Sequence, residues 1–243
     1  MNSIVLLRDT GRFFGQHWLR LFSITLLISA ITLIVAVGVI VAVVMGSRGI
    51  HPVNLARLVT WVGGVWMSTA ILYYLYAVSA GQQLSPLAAI RKSLESISSV
   101  FGYQLLLLAA LLLLVMVAWL PIVSVFPLLD KFPYNLWGFV VLFYFGSRLV
   151  ALGMIDLVVN QTDFKSLVFS AWRISRGHVW TLLIAHLIFF AAIALVFIIL
   201  PLVEPYLLLQ MSVLVLLIQP IVILFYIFIF QIYAHQRPDT DHT

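Results

Sequence analysis

The stretch Asp163–Leu200, DFKSLVFSAWRISRGHVW followed by TLLIAHLIFFAAIALVFIIL, shows how the rest of the chain is organised. Its first part is basic and amphipathic. Its second part is an apolar run of the length that crosses a bilayer as a helix, which takes about 20 residues. Weaker versions of this pair occur earlier in the chain, and their placement predicts the fold.

The composition is that of a chain dissolved in lipid. Of its 243 residues, 64% are hydrophobic and 9% are charged, whereas a soluble domain carries about 25% charged residues. The net charge of +5 and the pI of about 9.7 would suggest nucleic acid for a soluble protein. Here the basic residues flank apolar runs, which indicates anionic lipid and membrane orientation, and no nucleic acid partner. The absence of cysteine excludes disulfides and thiol chemistry.

Six apolar runs are long enough to span a membrane, and hydrocarbon forces each of them to be helical. An all-α polytopic membrane protein with a single membrane domain over residues 1–243 is therefore predicted. The first run is too long for a cleavable signal, whose apolar part has roughly 7–15 residues. The predicted spans are about 21–45, 59–80, 103–126, 136–159, 179–203 and 209–233.

Basic residues alternate between the connections, which predicts the orientation. About nine lie in the N-terminal segment, the second and fourth connections and the tail, against three in the other connections. Both termini are therefore predicted to be cytoplasmic, and an even number of spans agrees with this. The first group is Arg8, Arg12, Arg20, Arg91, Lys92, Lys165, Arg173, Arg176 and Arg237; the second is Arg48, Arg57 and Lys131.

Basic amphipathic segments precede spans 1, 3 and 5. Helix N-caps are predicted at Ser85, before Pro86, and at Asp163. The positions of Trp18, Val100 and Trp180 suggest a period of about 80 residues and a threefold internal repeat. The alternative is that any six-helix protein with short basic inner loops shows such spacing. Each segment is predicted to lie along the headgroups, with a packed intracellular helix as the alternative.

Two motifs resemble the YciC-type inner-membrane proteins of Gram-negative bacteria. They are LLRDTGRFFGQHW at Leu6–Trp18 and VSAGQQLSPLAAIRKS at Val78–Ser93. Length and topology are similar over nearly the whole chain. The resemblance implies a multi-pass protein of the bacterial inner membrane with a role in the cell envelope. It implies no established activity and no catalytic residues.

Arg148 and Asp156 lie inside the fourth predicted span. Arg148 is about 18 Å along the helix from Leu136, near the middle of the hydrocarbon. A charge there costs at least about 2.5–3.5 kcal/mol, so it normally faces the protein interior with a partner. One interpretation is an anion or lipid-headgroup contact, or part of a polar pathway. The other is a structural pair with Asp156 or with a polar residue of another helix.

The remaining candidates are polar residues at span ends or within spans. Arg173, Arg176, Arg91 and Lys92 are, with Arg148, the candidate contacts for lipid or anions. Gln219, beside Pro220, and His186 join Arg148 and Asp156 as intramembrane polar residues, each predicted to be a packing residue more readily than a ligand. His178 and His186 lack the further ligands that a metal site needs, so no metal is predicted.

These observations favour a non-enzymatic protein in cell-envelope or membrane-lipid homeostasis. No cofactor motif or nucleophile–base arrangement is present in the sequence. The expected partners are membrane lipids, with anionic headgroups on the cytoplasmic side, and other proteins or further copies of the chain, since Gly38, Ala42 and Gly46 provide a close-packing stripe. The alternative is a small transporter or channel with a polar site around Arg148.

Overall fold

The computed structural model describes residues 3–46, 52–125, 134–160, 163–199 and 207–236, and these are almost entirely helical. No β-strand occurs in those ranges. The elements, in chain order, are α1 (Ser3–Gly46), α2 (Pro52–Ser79), α3 (Pro86–Val125), α4 (Tyr134–Asn160), α5 (Phe164–Ser175), a 3₁₀ turn (Arg176–His178), α6 (Val179–Ile199) and α7 (Leu207–Gln236).

The prediction of an all-helical chain with six membrane-length segments is confirmed. Among the described residues, six helical stretches are long and apolar enough to cross a membrane. They are Val5–Val43, Leu58–Ser79, Pro86–Val117, Val140–Asn160, Phe164–Val196 and Leu217–Gln236. Residues 126 and 200–203, which end two predicted spans, and Arg48, Lys131 and Arg237 lie outside the described residues.

Two of the amphipathic segments are continuous with the spans that follow them. α1 has 44 residues and α3 has 40, which corresponds to about 66 and 60 Å of helix. No proline interrupts α1 where the predicted span begins at Leu21. A single glycine, Gly102, is not enough to end α3 at the corresponding point. The third segment, α5, is set off from α6 by the 3₁₀ turn. The threefold repeat and the interfacial position of these segments remain predictions.

Local sequence signals account for the connection between α2 and α3. Gly81 adopts a left-handed conformation with φ of 72°, which a glycine accommodates without strain. The amides of Gly81 and Gln82 then donate to the last carbonyls of α2, so the helix ends with its carbonyls satisfied. At the start of α3, the Ser85 hydroxyl accepts from the Ala88 amide at 3.2 Å, which confirms the predicted N-cap before Pro86.

The chain divides into two compact units. The first comprises Met1–Ser98 and Phe189–Gln231, and the second comprises Ser99–Ile188 and Ile232–Thr243. In the first unit, α1 packs against α2. Its buried apolar residues include Leu21, Ile24, Ile28, Ile71, Leu75, Ile223 and Ile227.

Hydrogen bonds between helices supplement this apolar core. Gln219 donates to Ser29 at 2.7 Å, and Tyr226 donates to Ser68 at 2.7 Å. Gln219 is buried, as predicted for an intramembrane packing residue. Its Oε1 is buried without a hydrogen-bond partner among the described residues. A Cβ added at Gly38 would meet no described atom within 4 Å, so the described chain does not use the small-residue stripe at that point.

The start of α3 is anchored to α2 through two serines. Ser93 accepts from the Trp66 indole at 2.9 Å, and Ser96 lies 2.6 Å from the Tyr73 hydroxyl. Both serines are buried. The aromatic side chains of α2 supply these hydrogen-bonding partners, which the periodicity of α3 alone does not reveal.

In the second unit, α5 packs against α4. Nearby, the buried Tyr103 hydroxyl donates to the Leu149 carbonyl of α4 at 2.7 Å. Gly153 provides the room for this contact, because a Cβ there would collide with the Tyr103 hydroxyl. Small residues allow such close approach between helices in membranes.

Asp163 caps α5, as the sequence predicts. Its carboxylate accepts from the Ser166 hydroxyl at 2.7 Å and from the Ser166 amide at 3.3 Å. These hydrogen bonds hold the pKa of the Asp163 carboxyl below its usual value, and the one from the Ser166 hydroxyl has the larger effect. The capping contribution is therefore complete at neutral pH and declines only as the pH falls below the ordinary carboxyl range.

Replacing Asp163 by alanine is expected to fray the first turn of α5. Amide hydrogen exchange over Phe164–Leu167 should become about three- to tenfold faster, because an N-cap acceptor is lost. Asp163→Asn is the matched control and should exchange close to the wild-type rate, since asparagine caps about as well as aspartate. Equal acceleration in both variants would contradict the capping role.

Candidate functional site

Arg148 is buried in the second unit and bonded to groups on α4 and α5. Only 3% of its surface is exposed. Its Nε donates to the Ser175 hydroxyl at 2.9 Å, Nη1 to the Tyr144 hydroxyl at 2.8 Å and Nη2 to the Trp172 carbonyl at 3.4 Å. The guanidinium carbon lies 3.5 Å from the centroid of the Trp172 ring. The planar cation thus joins α4 to α5 by hydrogen bonds and a cation–π contact.

The sequence left open whether Arg148 pairs with Asp156 or with another helix, and the structure gives the second outcome. No ion pair joins the two among the described residues. Asp156, 4% exposed, accepts instead from the Asn160 amide and from the Tyr233 hydroxyl, the latter at 3.0 Å. Both hydrogen bonds go to Oδ1. Arg148 and Asp156 therefore have separate, electrically neutral sets of partners.

A cavity of about 570 Å³ lies in the second unit beside the end of α4. Its wall combines two cations, one carboxylate, an amide, two hydroxyls and two aromatic rings. The lining residues are Asp156, Asn160, Ser166, Phe169, Ser170, Trp172, Arg173 and Arg176. Three candidates from the sequence, Asp156, Arg173 and Arg176, are thus brought together, and Arg148 supports the wall through Trp172.

α5 presents one face to the protein and the other to the cavity and its surroundings. Leu167, Ala171 and Ser175 are buried, whereas Arg173 and Arg176 are exposed. The buried face of α5 accompanies its contact with α4. Phe169 is 66% exposed and lines the cavity.

The other candidates are not among the residues that line this cavity. Arg91 and Lys92 are exposed residues of the first unit, and the Lys92 ammonium lies 5.6 Å from the centre of the Tyr73 ring. Gln219 also belongs to the first unit. His186 is buried and lies 2.9 Å from the Leu182 carbonyl, while His178 lies 2.9 Å from the Gln236 amide.

Sequence reasoning missed several residues that build the site. Tyr144 is four residues before Arg148, so helical periodicity could have identified it as a neighbour. Ser170 is three residues before Arg173, so the same periodicity could have identified it as a neighbour of that arginine. Asn160, Trp172 and Ser175 had no such signal toward the site, because their roles depend on how α4 and α5 pack.

Comparison with protein-family models, with curated proteins and with solved structures gives no match for this chain. The described part of the chain itself defines the class, an all-helical protein with six helical stretches of membrane-spanning length. The resemblance to the YciC-type proteins remains a prediction from the two motifs.

Proposed function

We propose that this chain is a non-enzymatic, multi-pass protein of the bacterial inner membrane whose cavity binds a phosphate-bearing lipid headgroup on the cytoplasmic side. Its role would lie in membrane-lipid or cell-envelope homeostasis. The observation that carries the proposal is the convergence of Arg173 and Arg176 on one cavity beside the end of a membrane-length helix. Guanidinium groups bind phosphate oxygens through charge-assisted hydrogen bonds.

The rest of the wall supports an anionic ligand of this kind. Neutral hydrogen-bonding groups come from Ser166, Ser170 and Asn160. The exposed ring of Phe169 adds apolar surface at the cavity. The distribution of basic residues along the sequence predicts a cytoplasmic α4–α5 connection, and anionic headgroups on that side attract Lys and Arg.

The geometry favours this function over a transporter centred on Arg148. The Arg148 guanidinium donates to three neutral acceptors and stacks on Trp172. It is not among the residues that line the cavity. The guanidinium group therefore connects α4 to α5, whereas in a transport pathway it would have to line a water-filled channel.

The proposal is tested by neutralising the cavity cations. The Arg173→Gln/Arg176→Gln double variant is expected to retain phosphatidylglycerol about tenfold less well than a control variant with the same loss of charge elsewhere, measured by native mass spectrometry of protein released from nanodiscs. The loss of two charge-assisted contacts that are partly screened by water is worth roughly 1–2 kcal/mol.

The matched control is the Arg91→Gln/Lys92→Gln double variant. It removes the same charge from exposed residues of the first unit that do not line the cavity, so both double variants lose the same general attraction to an anionic surface and only the cavity variant loses the specific contacts as well. Equal losses in the two double variants would mean that Arg173 and Arg176 contribute only surface charge, and the proposed function would fail.

A further inference from the structure

We infer that the cavity recognises a phosphate and a primary ammonium group together, as found in a phosphoethanolamine headgroup, with Asp156 receiving the ammonium. The inference rests on the proposed function, because it assigns the phosphate to Arg173 and Arg176. It adds a second charged subsite of opposite sign in the same cavity.

The first observation is that Asp156 is a buried carboxylate that has no cationic partner among the described residues. Its described partners, Asn160 and Tyr233, are neutral donors, and among the described residues no cation lies within ion-pair distance of it. Buried charges in proteins are normally paired or bound to a ligand. An ammonium group entering the cavity would supply that missing charge.

The second observation is that the two arginines share the cavity with Asp156 but do not neutralise it. Arg173 and Arg176 line the same space, and neither forms an ion pair with the carboxylate. The cavity therefore holds positive and negative groups at separate positions. A ligand with a phosphate at one end and an ammonium at the other matches this arrangement, whereas a purely anionic headgroup places no cation beside Asp156.

The aromatic residues of the wall favour a primary ammonium over a quaternary one. A trimethylammonium group cannot donate a hydrogen bond and is usually held by a cage of aromatic faces. Of the two aromatic residues here, Trp172 already stacks on Arg148 at 3.5 Å. A primary ammonium instead donates hydrogen bonds to a carboxylate, which Asp156 offers.

The experiment compares lipid selectivity in nanodiscs of equal parts phosphatidylethanolamine, phosphatidylglycerol and phosphatidylcholine. The full chain is expected to retain phosphatidylethanolamine over both others. Asp156→Asn should reduce the preference over phosphatidylglycerol about tenfold, since it removes the charge while keeping an oxygen that accepts from Asn160 and Tyr233. Tyr233→Phe removes one hydrogen bond but leaves the charge, so it should keep the preference.

The outcomes separate the inference from the proposed function. If Asp156→Asn leaves the selectivity unchanged while Arg173→Gln/Arg176→Gln weakens all retention, the ammonium subsite is overturned and the phosphate site stands. If the arginine double variant behaves like its control, both fail. If the unmodified chain prefers phosphatidylcholine to phosphatidylethanolamine, the inference is also overturned.

A second arm identifies the source of the ligand. Soluble phosphoethanolamine and inorganic phosphate are each added at millimolar concentration to the lipid-loaded protein. Displacement by phosphoethanolamine at concentrations where phosphate is inactive supports the two-charge site and indicates a soluble ligand. If neither soluble phosphoethanolamine nor phosphate displaces phosphatidylethanolamine, and Asp156→Asn still loses the selectivity, the same site is supported and its ligand is a membrane lipid.

Discussion

Replacing Arg148 by methionine is expected to loosen α5 from α4 while leaving the protein inserted and folded. Two of the three hydrogen bonds of Arg148 reach α5, at Ser175 and Trp172, and the cation also stacks on the Trp172 ring. Hydrogen bonds to charged groups contribute about 1.5–3 kcal/mol each, and a desolvated cation–π contact about 2 kcal/mol. A net loss of roughly 3 kcal/mol in docking is expected, because methionine restores some apolar packing.

Hydrogen exchange measured by mass spectrometry checks this expectation. Peptides that cover Phe164–Ser175 should exchange about 100-fold faster, at 1.4 kcal/mol for each factor of ten. Peptides from α2 serve as the internal reference. The free energy of unfolding should change much less, because the variant also removes the cost of placing a charge within a span, which is about 2.5–3.5 kcal/mol on insertion scales.

Arg148→Lys provides the control for charge alone. Lysine keeps the positive charge but loses the planar fork and the stacking surface. It should therefore undock α5 as methionine does and also lower the global stability. Unchanged protection of α5 in the methionine variant would show that Arg148 does not hold this helix.

Gly63→Ala is expected to destabilise the contact between α1 and α2, and Gly64→Ala is not. A Cβ at Gly63 would collide with the Thr32 side chain, including its Cβ at 2.9 Å. Rotating Thr32 cannot move its own Cβ, so the helices must separate or tilt. Overpacking of this kind costs about 1–3 kcal/mol. A Cβ added at Gly64 would meet no described atom within 4 Å, so alanine should stabilise the helix by up to about 1 kcal/mol.

Unfolding in mixed micelles with increasing dodecyl sulfate measures both variants against wild type. A double-mutant cycle with Thr32→Gly adds a second control, because removing the Thr32 side chain should abolish most of the cost of Gly63→Ala. Equal stability of the Gly63 and Gly64 variants would be incompatible with close packing of α1 on α2.

The sequence was sufficient for the helical class because hydropathy and chain length act locally. The six membrane-length segments and the N-caps at Ser85 and Asp163 depend on residues a few positions apart. The partners of Arg148 were not predictable in this way. Charge alone suggested Asp156, eight residues along the same helix, whereas Ser175 and Trp172 become neighbours only when α5 packs on α4.

The cavity shows the same limit on prediction. Arg173 and Arg176 were candidates because basic residues near the ends of spans can contact anionic headgroups. Their association with Asp156 and Asn160 requires two helices to meet at one place, and Tyr233 reaches Asp156 from 77 positions away along the chain. Periodicity within a single helix contains no information about such meetings.

The continuous helices α1 and α3 bear on how the protein tolerates bilayers of different thickness. From Leu21 to Gly46, α1 carries about 39 Å of uncharged helix, which exceeds a hydrocarbon layer of about 30 Å. From Gly102 to Val125, α3 carries about 36 Å. A bilayer thicker by several ångströms therefore still meets uncharged helix at both ends, and a thinner one is accommodated by tilt. These two helices therefore have a margin against hydrophobic mismatch.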